Sequence, residues 1–331
     1  MRPGTAESPR VAIGENDPMR PFTFLADARD IANVAELTET VQRAEALGID
    51  TLVIPDHLIP QLSPAPAMAA IVTISERMRV SAFVLNNDLR HPAVLAQDLA
   101  SIDVLSGGRL DVAIGAGWNR VEYEAIGLPF DRTPVRQARL VEAVAVLKGC
   151  FGPGPFSFAG EHYTITDYDA HPKPIQQPHP PILIGGGGRR TLELAAREAD
   201  IVGFAPRVLP VGAPDPASVT WEGTREKLDW VREAAGDRFD DLVLNIYPSM
   251  TAPTITDDPL AAAAEVADRI SERSGIPISP EEMLESPHIF IGTVDSLVEK
   301  FQRLREELGI TSIMVGGVHE LAPVVERLAG S

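Results

Sequence analysis

The stretch PILIGGGGRRTLELAAREADIVGF, residues 181–204, contains one complete repeat of the predicted fold. PILIG (181–185) and DIVGF (200–204) are short apolar runs without polar alternation, and the residues from about Arg189 to Arg197 between them have helical spacing. Strands with continuous Val, Ile and Leu are buried on both faces, as in parallel sheets. A helix between two such strands predicts a parallel βα repeat.

The same alternation extends in both directions, from near residue 22 to the end of the chain. Six further strand candidates are FTFLA (22–26), TLVIP (51–55), RVSAFVL (79–85), RLDVAIG (109–115), LVLNIY (242–247) and SIMVGG (312–317). The other helical stretches are about Val34–Leu47, Pro66–Arg77, Pro92–Leu105, Thr133–Gly149, Thr224–Ala235, Leu260–Arg273 and Val294–Leu308. Eight such strands predict an α/β fold, a closed (β/α)₈ TIM barrel. A doubly wound open sheet is the alternative, but no G-x-G-x-x-G follows the first strand and no break divides the chain.

One segment interrupts this rhythm. Residues 151–181 have no helical period, but contain two short alternating pieces around Ala159-Gly160 and then a proline-rich exit. A structureless insert of this length is unusual in a compact domain unless it is functional or packs as its own hairpin. We therefore predict an insertion after helix four, with residues 151–180 forming a hairpin and an extended segment that lie over the barrel mouth as a lid.

Composition excludes several kinds of partner. The formal net charge is −18 and no basic cluster interrupts the excess of acid, so nucleic acid would be repelled. No apolar run reaches the roughly 18 residues of a membrane span. Residues 1–20 lack the apolar core of a secretory signal, so we expect a flexible tail and a single barrel over 21–331. The single Cys150 suits packing in a cytoplasmic protein, and the expected partner is a small molecule.

The carboxyl ends of barrel strands build the active site in folds of this kind. The fifth strand ends in four glycines and two arginines: Gly185, Gly186, Gly187, Gly188, Arg189 and Arg190. Glycines expose backbone N–H groups, and the following helix presents its positive N-terminal end. Together they predict an anion site of phosphate size, to which either arginine adds charge. A flexible turn with exposed arginines is the alternative.

The second strand ends in Asp56-His57, and prolines stand on both sides of the pair (IPDHLIP, 54–60). A lone histidine usually satisfies a local hydrogen bond, and that interpretation stays open. A neighbouring carboxylate at a barrel mouth favours proton transfer. Both residues are therefore candidate catalytic residues, with Asp56 orienting His57.

The fourth strand is followed by GAGWN, residues 115–119. Gly115 and Gly117 would let a flat ring approach the backbone, and Trp118 with Asn119 would wall a pocket. A tight turn with a core tryptophan explains the same residues equally well.

The third strand is followed by Asn86, Asn87 and Asp88. The asparagine amides would bond the carbonyl and N–H edge of a heterocycle, or would only cap the next helix. The histidines outside Asp56-His57 lack metal-ligand spacing, so we predict no metal site. No G-x-S-x-G elbow or Walker A run is present, which disfavours hydrolases and kinases.

Four longer motifs carry a family resemblance: IPDHL (54–58), LRHPAVLAQDLASIDVLSGGRLDVAIGAGWNRVEYEAIGLPF (89–130), PHPPILIGGGGRRTLELAAREADIVGF (178–204) and GTVDSLVEKFQRLREELGITSIMV (292–315). In them the chain resembles the bacterial-luciferase-like superfamily of flavin- and deazaflavin-dependent oxidoreductases, over nearly everything from Pro21 onwards. VLNNDLRHP, FAGEHY and PHPPILIGGGGRR are most similar to a branch that uses coenzyme F420 rather than FMN.

The resemblance implies an F420-dependent oxidoreductase on a (β/α)₈ barrel. The deazaflavin ring would lie across the mouth beside Asp56 and His57, and Gly186–Arg190 would take the cofactor phosphate. Deazaflavin members carry a non-prolyl cis peptide behind the ring, which alignment puts at Ala82–Phe83. A homodimer through the helices near strands two and three is expected from the resemblance alone.

One departure from the family concerns Trp118, where sugar-phosphate dehydrogenases of this family carry a glutamate used as acid or base. The lysines expected to grip a sugar phosphate are not evident either. Both differences favour an apolar or aromatic substrate and leave His57 as the proton carrier. The alternatives are an FMN-dependent monooxygenase supplied by a separate reductase, and a catalytically idle flavin-binding protein.

Overall fold

The computed structural model describes residues 20–209 and 212–331. The strands in these ranges are β1 (Thr23–Asp27), β2 (Thr51–Ile54), β3 (Arg79–Ala82), β4 (Leu85–Asn86), β5 (Val112–Gly115), β6 (Phe156–Ala159), β7 (Thr164–Tyr168), β8 (Ile182–Gly186), β9 (Ile201–Phe204), β10 (Val243–Ile246), β11 (Thr254–Ile255), β12 (Ile291–Gly292) and β13 (Ile310–Gly317). The α-helices are α1 (Val34–Leu47), α2 (Pro64–Ile74), α3 (Pro92–Ser106), α4 (Arg120–Ala125), α5 (Thr133–Phe151), α6 (Arg189–Glu198), α7 (Trp221–Ala235), α8 (Pro259–Ser274), α9 (Pro280–Glu285), α10 (Val294–Leu308) and α11 (Ala322–Leu328).

Nine of these strands form one parallel sheet in the order β3-β2-β1-β13-β10-β9-β8-β5-β4. The sheet closes because Val80 of β3 donates its N–H to the carbonyl of Arg109 (2.9 Å) and accepts from the N–H of Asp111 (2.9 Å), directly before β5. Strands β3 and β4 are therefore two parts of one barrel strand, and the barrel has the eight strands that the sequence predicts. The predicted (β/α)₈ fold is confirmed.

The largest differences from the predicted elements have local causes. The predicted strand over 79–85 is interrupted after Ala82. Helix α7 begins at Trp221 rather than near Thr224, because the Thr220 hydroxyl caps it by accepting from the N–H of Gly223 (3.0 Å). The short helices α4 and α9 and the β11–β12 pair were not predicted, because each is too short for a periodic pattern.

Side chains along the barrel strands alternate between two hydrophobic clusters. Phe24 and Leu52 pack with the helices in the main core, whereas their neighbours Leu25 and Val53 belong to a separate cluster with Met314. This alternation is the period of a β-strand, so the second cluster fills the inside of the barrel. It forms the floor beneath the carboxyl ends of the strands.

The segment 151–181 contains the predicted hairpin, formed by the antiparallel strands β6 and β7. Backbone N–H groups of residues 161–163 at its tip donate to the Glu142 carboxylate of α5 (2.8–3.0 Å). Farther along, the N–H of Ile175 donates to Asp103 at the end of α3 (2.6 Å). Asp103 is fully buried and needs such donors. These contacts tie the segment to α3 and α5, and its role as a lid over the barrel mouth stays a prediction.

Cys150 is buried in the main core, as predicted for a packing residue. Within the described part of the chain, no α-helix has both the length and the apolar character required to cross a membrane. The tail predicted over residues 1–20 lies outside the described residues except for Arg20, whose guanidinium donates to the Leu242 carbonyl (2.7 Å).

Candidate active site

His57 lies just beyond the end of β2, where the sequence places a proton-transfer residue. Its Nδ1 is 2.9 Å from Oε1 and 3.1 Å from Oε2 of Glu122 on α4. The ring also makes an edge contact with Trp118, with 5.5 Å between ring centroids. The imidazole is 24% exposed, and no described residue bonds its Nε2. One ring nitrogen is thus held inside the protein, and the other is free at the mouth.

The predicted orienting contact between Asp56 and His57 is wrong. Asp56 pairs with Arg90, with 2.7 Å from Nη1 to Oδ2 and 3.1 Å from Nη2 to Oδ1, and accepts from the N–H of Asn86 (2.9 Å). Neighbouring side chains of an extended segment face opposite sides, so the two residues cannot share one direction. Asp56 secures the strand ends, and the carboxylate beside the imidazole is that of Glu122.

Asn86 presents a polar group at the mouth, as predicted. Its Oδ1 accepts from the Tyr123 hydroxyl (2.9 Å) and from the N–H of Asp88 (3.1 Å), which fixes which way the amide points. No described residue accepts from its Nδ2. Burial, with the nearby Asp88 carboxylate, raises the pKa of Tyr123 to about 12, so the phenol remains a donor. The free Nδ2 is a donor for a ligand's carbonyl.

Asn87 faces elsewhere. It is almost fully buried, and its Nδ2 donates to the hydroxyl of Tyr163 at the hairpin tip (3.2 Å). Asp88 pairs with Arg139 of α5 (2.8 Å). Of these three polar residues, only Asn86 thus keeps a side-chain donor without a described partner, while Asn87 and Asp88 hold the hairpin and α5.

The glycines after the fourth barrel strand are explained by packing within the protein. A Cβ on Gly115 would lie 2.9 Å from a methyl of Val84. A Cβ on Gly117, at φ +74°, would overlap the hydroxyl of Tyr123 and Oδ1 of Asn86. These glycines let the loop close over Tyr123 and Asn86, which differs from the predicted approach of a flat ring.

Trp118 and Asn119 follow these glycines. Trp118 is 70% exposed and is therefore not the core tryptophan of the alternative interpretation. Asn119 begins α4, but its side chain makes no capping hydrogen bond. Trp118 lies beside His57 at the rim, in the position predicted for a pocket wall.

The glycine run at the end of β8 forms the start of α6. Gly188 is the N-cap residue and has no side chain to cap the helix, and nothing lies within 4 Å of where its Cβ would be. The backbone N–H groups of Gly187, Gly188, Arg189 and Arg190 have no acceptor among the described residues. A helix N-terminus with free N–H groups attracts an anion.

The other members of the run have different roles. Gly185 faces Gly203 across the sheet, and a Cβ on Gly186 would lie 2.7 Å from Thr191. A Cβ on Gly187 would overlap the Pro206 carbonyl, so glycine is required there for the approach of the next loop. Arg189 is committed to Glu193 (2.7 Å) and Glu233 (2.9 Å) on the surface. Arg190 makes no ion pair with a described residue, and of the two arginines it is the one available to an anion.

The predicted site at Ala82 and Phe83 needs a correction. Ala82 points into the outer core, and only Phe83 joins the inner cluster, with its ring 5.5 Å from that of Tyr247. The non-prolyl cis peptide is Phe83–Val84, one residue beyond the predicted Ala82–Phe83. Ala82 pairs with Ile54, and Phe83 donates its N–H to the Ile54 carbonyl (3.0 Å), so the chain leaves the regular ladder only after Phe83.

Sequence reasoning missed several buried groups near the mouth. Glu122 stands in a six-residue helix with no motif around it. Lys227 of α7 is 1% exposed and donates to the Ala205 carbonyl (2.7 Å), and burial together with Arg207 lowers the pKa of Lys227 to about 7. Burial also lowers the pKa of His288 well below its ordinary value. A charged residue on the apolar face of a helix is the one signal that marks Lys227.

Within residues 20–209 and 212–331, no three His, Cys, Asp or Glu side chains are grouped so that they could hold a metal ion. The groups without described partners at the mouth are Nδ2 of Asn86, Nε2 of His57 and the first N–H groups of α6.

Comparison with known proteins shows what the chain is similar to. Over 131 residues the chain is 38% identical to an FMNH(2)-dependent dimethylsulfone monooxygenase of Pseudomonas putida, covering 40% of this chain and 36% of that protein. Over 173 residues it is 30% identical to an F420-dependent glucose-6-phosphate dehydrogenase of Amycolatopsis mediterranei, and the match covers 50% of this chain and 51% of that protein. The matches thus span about half or less than half of these relatives' own lengths.

The fold is shared with the coenzyme F420-dependent tetrahydromethanopterin reductase of Methanopyrus kandleri. The TM-score is 0.74 at 18% identity, and the superposition covers 94% of this chain and 98% of the reductase. The family model of luciferase-like monooxygenases matches residues 18–307, which is most of the chain. The chain therefore belongs to the luciferase-like monooxygenase family.

Proposed function

We propose that this protein is an oxidoreductase that exchanges hydride between coenzyme F420 and an apolar or aromatic organic substrate. The observation that carries the proposal is the presence, at one barrel mouth, of a helix N-terminus with free N–H groups and a histidine with a free Nε2. Similarity to F420-dependent dehydrogenases supports the choice of cofactor.

The residues at the mouth fit a phosphate-bearing tricyclic cofactor. The free N–H groups of Gly187 and Gly188 suit the phosphate, and no Cβ occupies the space at Gly188. The free Nδ2 of Asn86 suits a ring carbonyl. Phe83 and Tyr247 pack above the inner cluster and provide an apolar floor for a flat ring.

When bound, F420 supplies the two-electron hydride donor or acceptor. The chain's own residues bind and orient it and handle the proton. The helix N-terminus would hold the phosphate, and Asn86 would fix the ring edge. His57 would give a proton to the substrate heteroatom in reduction, or take one in oxidation, at Nε2. Trp118, beside His57, would limit the access of water to that nitrogen.

The exposed side chains beside the site support an apolar substrate. Leu58 and Ile59, which follow His57, are 51% and 43% exposed, and Val121, on α4, is 71% exposed. Exposed large apolar side chains concentrated beside a polar site are typical of a ligand-binding surface. Trp118, in place of an acidic residue, adds to this apolar rim.

Hydride transfer can be tested with reduced F420 and a panel of apolar aldehydes, ketones and enones, with glucose 6-phosphate and oxidised F420 as a separate pair. We expect at least one apolar substrate to restore the absorbance of oxidised F420, and no reaction with the sugar phosphate. Cofactor binding without turnover on any member of the panel would instead indicate an idle flavin-binding protein.

An FMN-dependent monooxygenase is the second candidate. It is supported by the 38% identity to the dimethylsulfone enzyme. This candidate predicts oxygen-dependent product formation when reduced FMN is supplied, and no hydride exchange with F420.

We also propose a homodimer formed through α2 and α3. Val94, Val104 and Leu105 on α3 are 42–61% exposed, which leaves apolar surface for a partner. Light scattering should give twice the 35.6 kDa mass of the chain. Substituting Leu105→Glu should shift the mass to that of the monomer, and a monomeric wild type would contradict this assembly.

A further inference from the structure

Glu122 has a buried carboxylate. Among the described residues, the side chain that contacts this carboxylate is the imidazole of His57. Glu122 is 6% exposed, and both of its oxygens lie within 3.1 Å of Nδ1 of His57. The other buried carboxylates at this mouth pair with arginines: Asp27 with Arg29, Asp56 with Arg90 and Asp88 with Arg139. Glu122 has no arginine or lysine partner among the described residues, so His57 is the group that compensates it.

The pairing determines where the imidazole carries its hydrogen. An ionised carboxylate accepts hydrogen bonds but cannot donate them, so the hydrogen must lie on Nδ1 of His57. In the neutral ring, Nε2 is then the unprotonated acceptor, and it is the nitrogen without a described partner. The edge contact with Trp118 restrains the ring from turning out of this orientation.

We propose that Glu122 is a positioning residue that fixes His57 in the Nδ1–H tautomer and aims Nε2 at the substrate. This role rests on the proposed function, in which His57 moves the proton. In reduction, F420 when bound would supply the hydride to a substrate carbon, and the imidazolium of His57 would give its Nε2 proton to the substrate oxygen. A neutral ring with its hydrogen on Nδ1 remains, and oxidation reverses each transfer.

The burial of Glu122 gives the pair its selectivity. A buried carboxylate without a donor is costly, so the structure favours the one ring tautomer that donates to it. Glutamine at position 122 removes this preference, because its amide can either accept from a protonated Nδ1 or donate to an unprotonated one. Glu124, on the exposed face of the same helix and 62% exposed, offers a matched control.

The test is ¹⁵N–¹H correlation NMR of the histidine rings in the cofactor-free protein, with the His57→Gln variant identifying the signals among the seven histidines. At a pH where the His57 ring is neutral, we expect a protonated Nδ1 and an unprotonated Nε2 in the wild type and in Glu124→Gln. In Glu122→Gln we expect a mixture of tautomers. A wild-type ring protonated on Nε2, or an unchanged spectrum in Glu122→Gln, would overturn the proposal.

A kinetic measurement separates positioning from structure. With a substrate found in the panel, Glu122→Gln should lower kcat by about tenfold or more, but by no more than His57→Ala, while the Kd for F420 stays within about twofold. An altered tautomer with unchanged kcat would remove Glu122 from catalysis. If F420 turnover is never found, the proposed function fails while the NMR result still decides the tautomer.

Discussion

Arg90 and Asp56 form a two-point ion pair at the barrel mouth, with nitrogen–oxygen distances of 2.7 and 3.1 Å. Asp56 is 4% exposed and also accepts from the N–H of Asn86, so its carboxylate ties β2 to β4. A carboxylate that accepts two hydrogen bonds from one guanidinium has a fixed orientation, and it holds the neighbouring groups in place. The pair thus supports Asn86, the donor that we assign to the cofactor ring.

Replacing Arg90 by alanine should destabilise the protein by about 3 kcal/mol, because it leaves a buried carboxylate without its cation. Urea unfolding measures this difference. Arg77→Ala, which removes an exposed ion pair with Glu45, is the control and should have little effect. A loss in Arg90→Ala no larger than in Arg77→Ala would show that Asp56 does not need its partner.

Gly117 should tolerate a methyl group far less well than Gly127. Both have φ +74°, but a Cβ on Gly117 overlaps Tyr123 and Asn86 whereas a Cβ on Gly127 meets nothing within 4 Å. Gly127→Ala should therefore lower the free energy of unfolding by about 1 kcal/mol, because of the left-handed backbone conformation alone. Gly117→Ala should cost roughly 2 kcal/mol more because of the overlap. Equal losses in thermal or urea unfolding would mean that the loop shifts without strain.

Lys227 should make stability rise with pH. Its pKa is lowered to about 7 in the folded protein, against about 10.4 for an ordinary lysine. Between these values the unfolded chain binds more protons than the folded one, so the free energy of unfolding increases with pH. Relative to Lys227→Met, the wild type should gain up to about 1.4 kcal/mol per pH unit from pH 8 to 9.5.

The control for this experiment is Lys148→Met, which removes a lysine from an ion pair with Glu198 (2.8 Å) at the surface. Urea unfolding at several pH values gives the comparison. A constant difference between wild type and Lys227→Met across that range would show that Lys227 keeps its charge in the folded protein.

An aspartate at position 188 should compete with the cofactor phosphate. Gly188 is an N-cap with free space at its Cβ, so Asp fits and its carboxylate accepts from the first N–H groups of α6. We expect Gly188→Asp to raise the Kd for F420 by about tenfold or more, and to leave thermal stability equal or higher. Gly188→Asn, which caps without charge, should weaken binding less. Unchanged affinity in both variants would place the phosphate elsewhere.

The barrel was predictable from sequence because continuous apolar strands alternate with helices long enough to show a period. The same reasoning located His57 and the N-terminus of α6, since strand ends of a parallel barrel meet at one face. The sequence did not predict α4 or β11. Helix α4 has less than two turns and β11 has only two residues, so neither shows a hydrophobic period.

Partners of side chains were less predictable than their positions. Asp56 stands next to His57 in the sequence, yet the carboxylate that contacts the imidazole is Glu122, 65 residues away. Local spacing carries no information about such a pair, because it depends on how α4 returns to the end of β2. In the same way, the sequence predicts space for a ligand at Gly117, whereas in the structure Tyr123 and Asn86 occupy that space.

The dependence on F420 is tested most directly by titrating the purified protein with F420 and with FMN and following the quenching of tryptophan fluorescence. Trp118, 70% exposed beside His57, should report binding at the mouth, and Trp118→Phe should remove most of the quenching but not the binding seen by equilibrium dialysis. We expect micromolar or tighter binding of F420 and weaker binding of FMN. Micromolar binding of FMN without any binding of F420 would contradict the proposed dependence on F420.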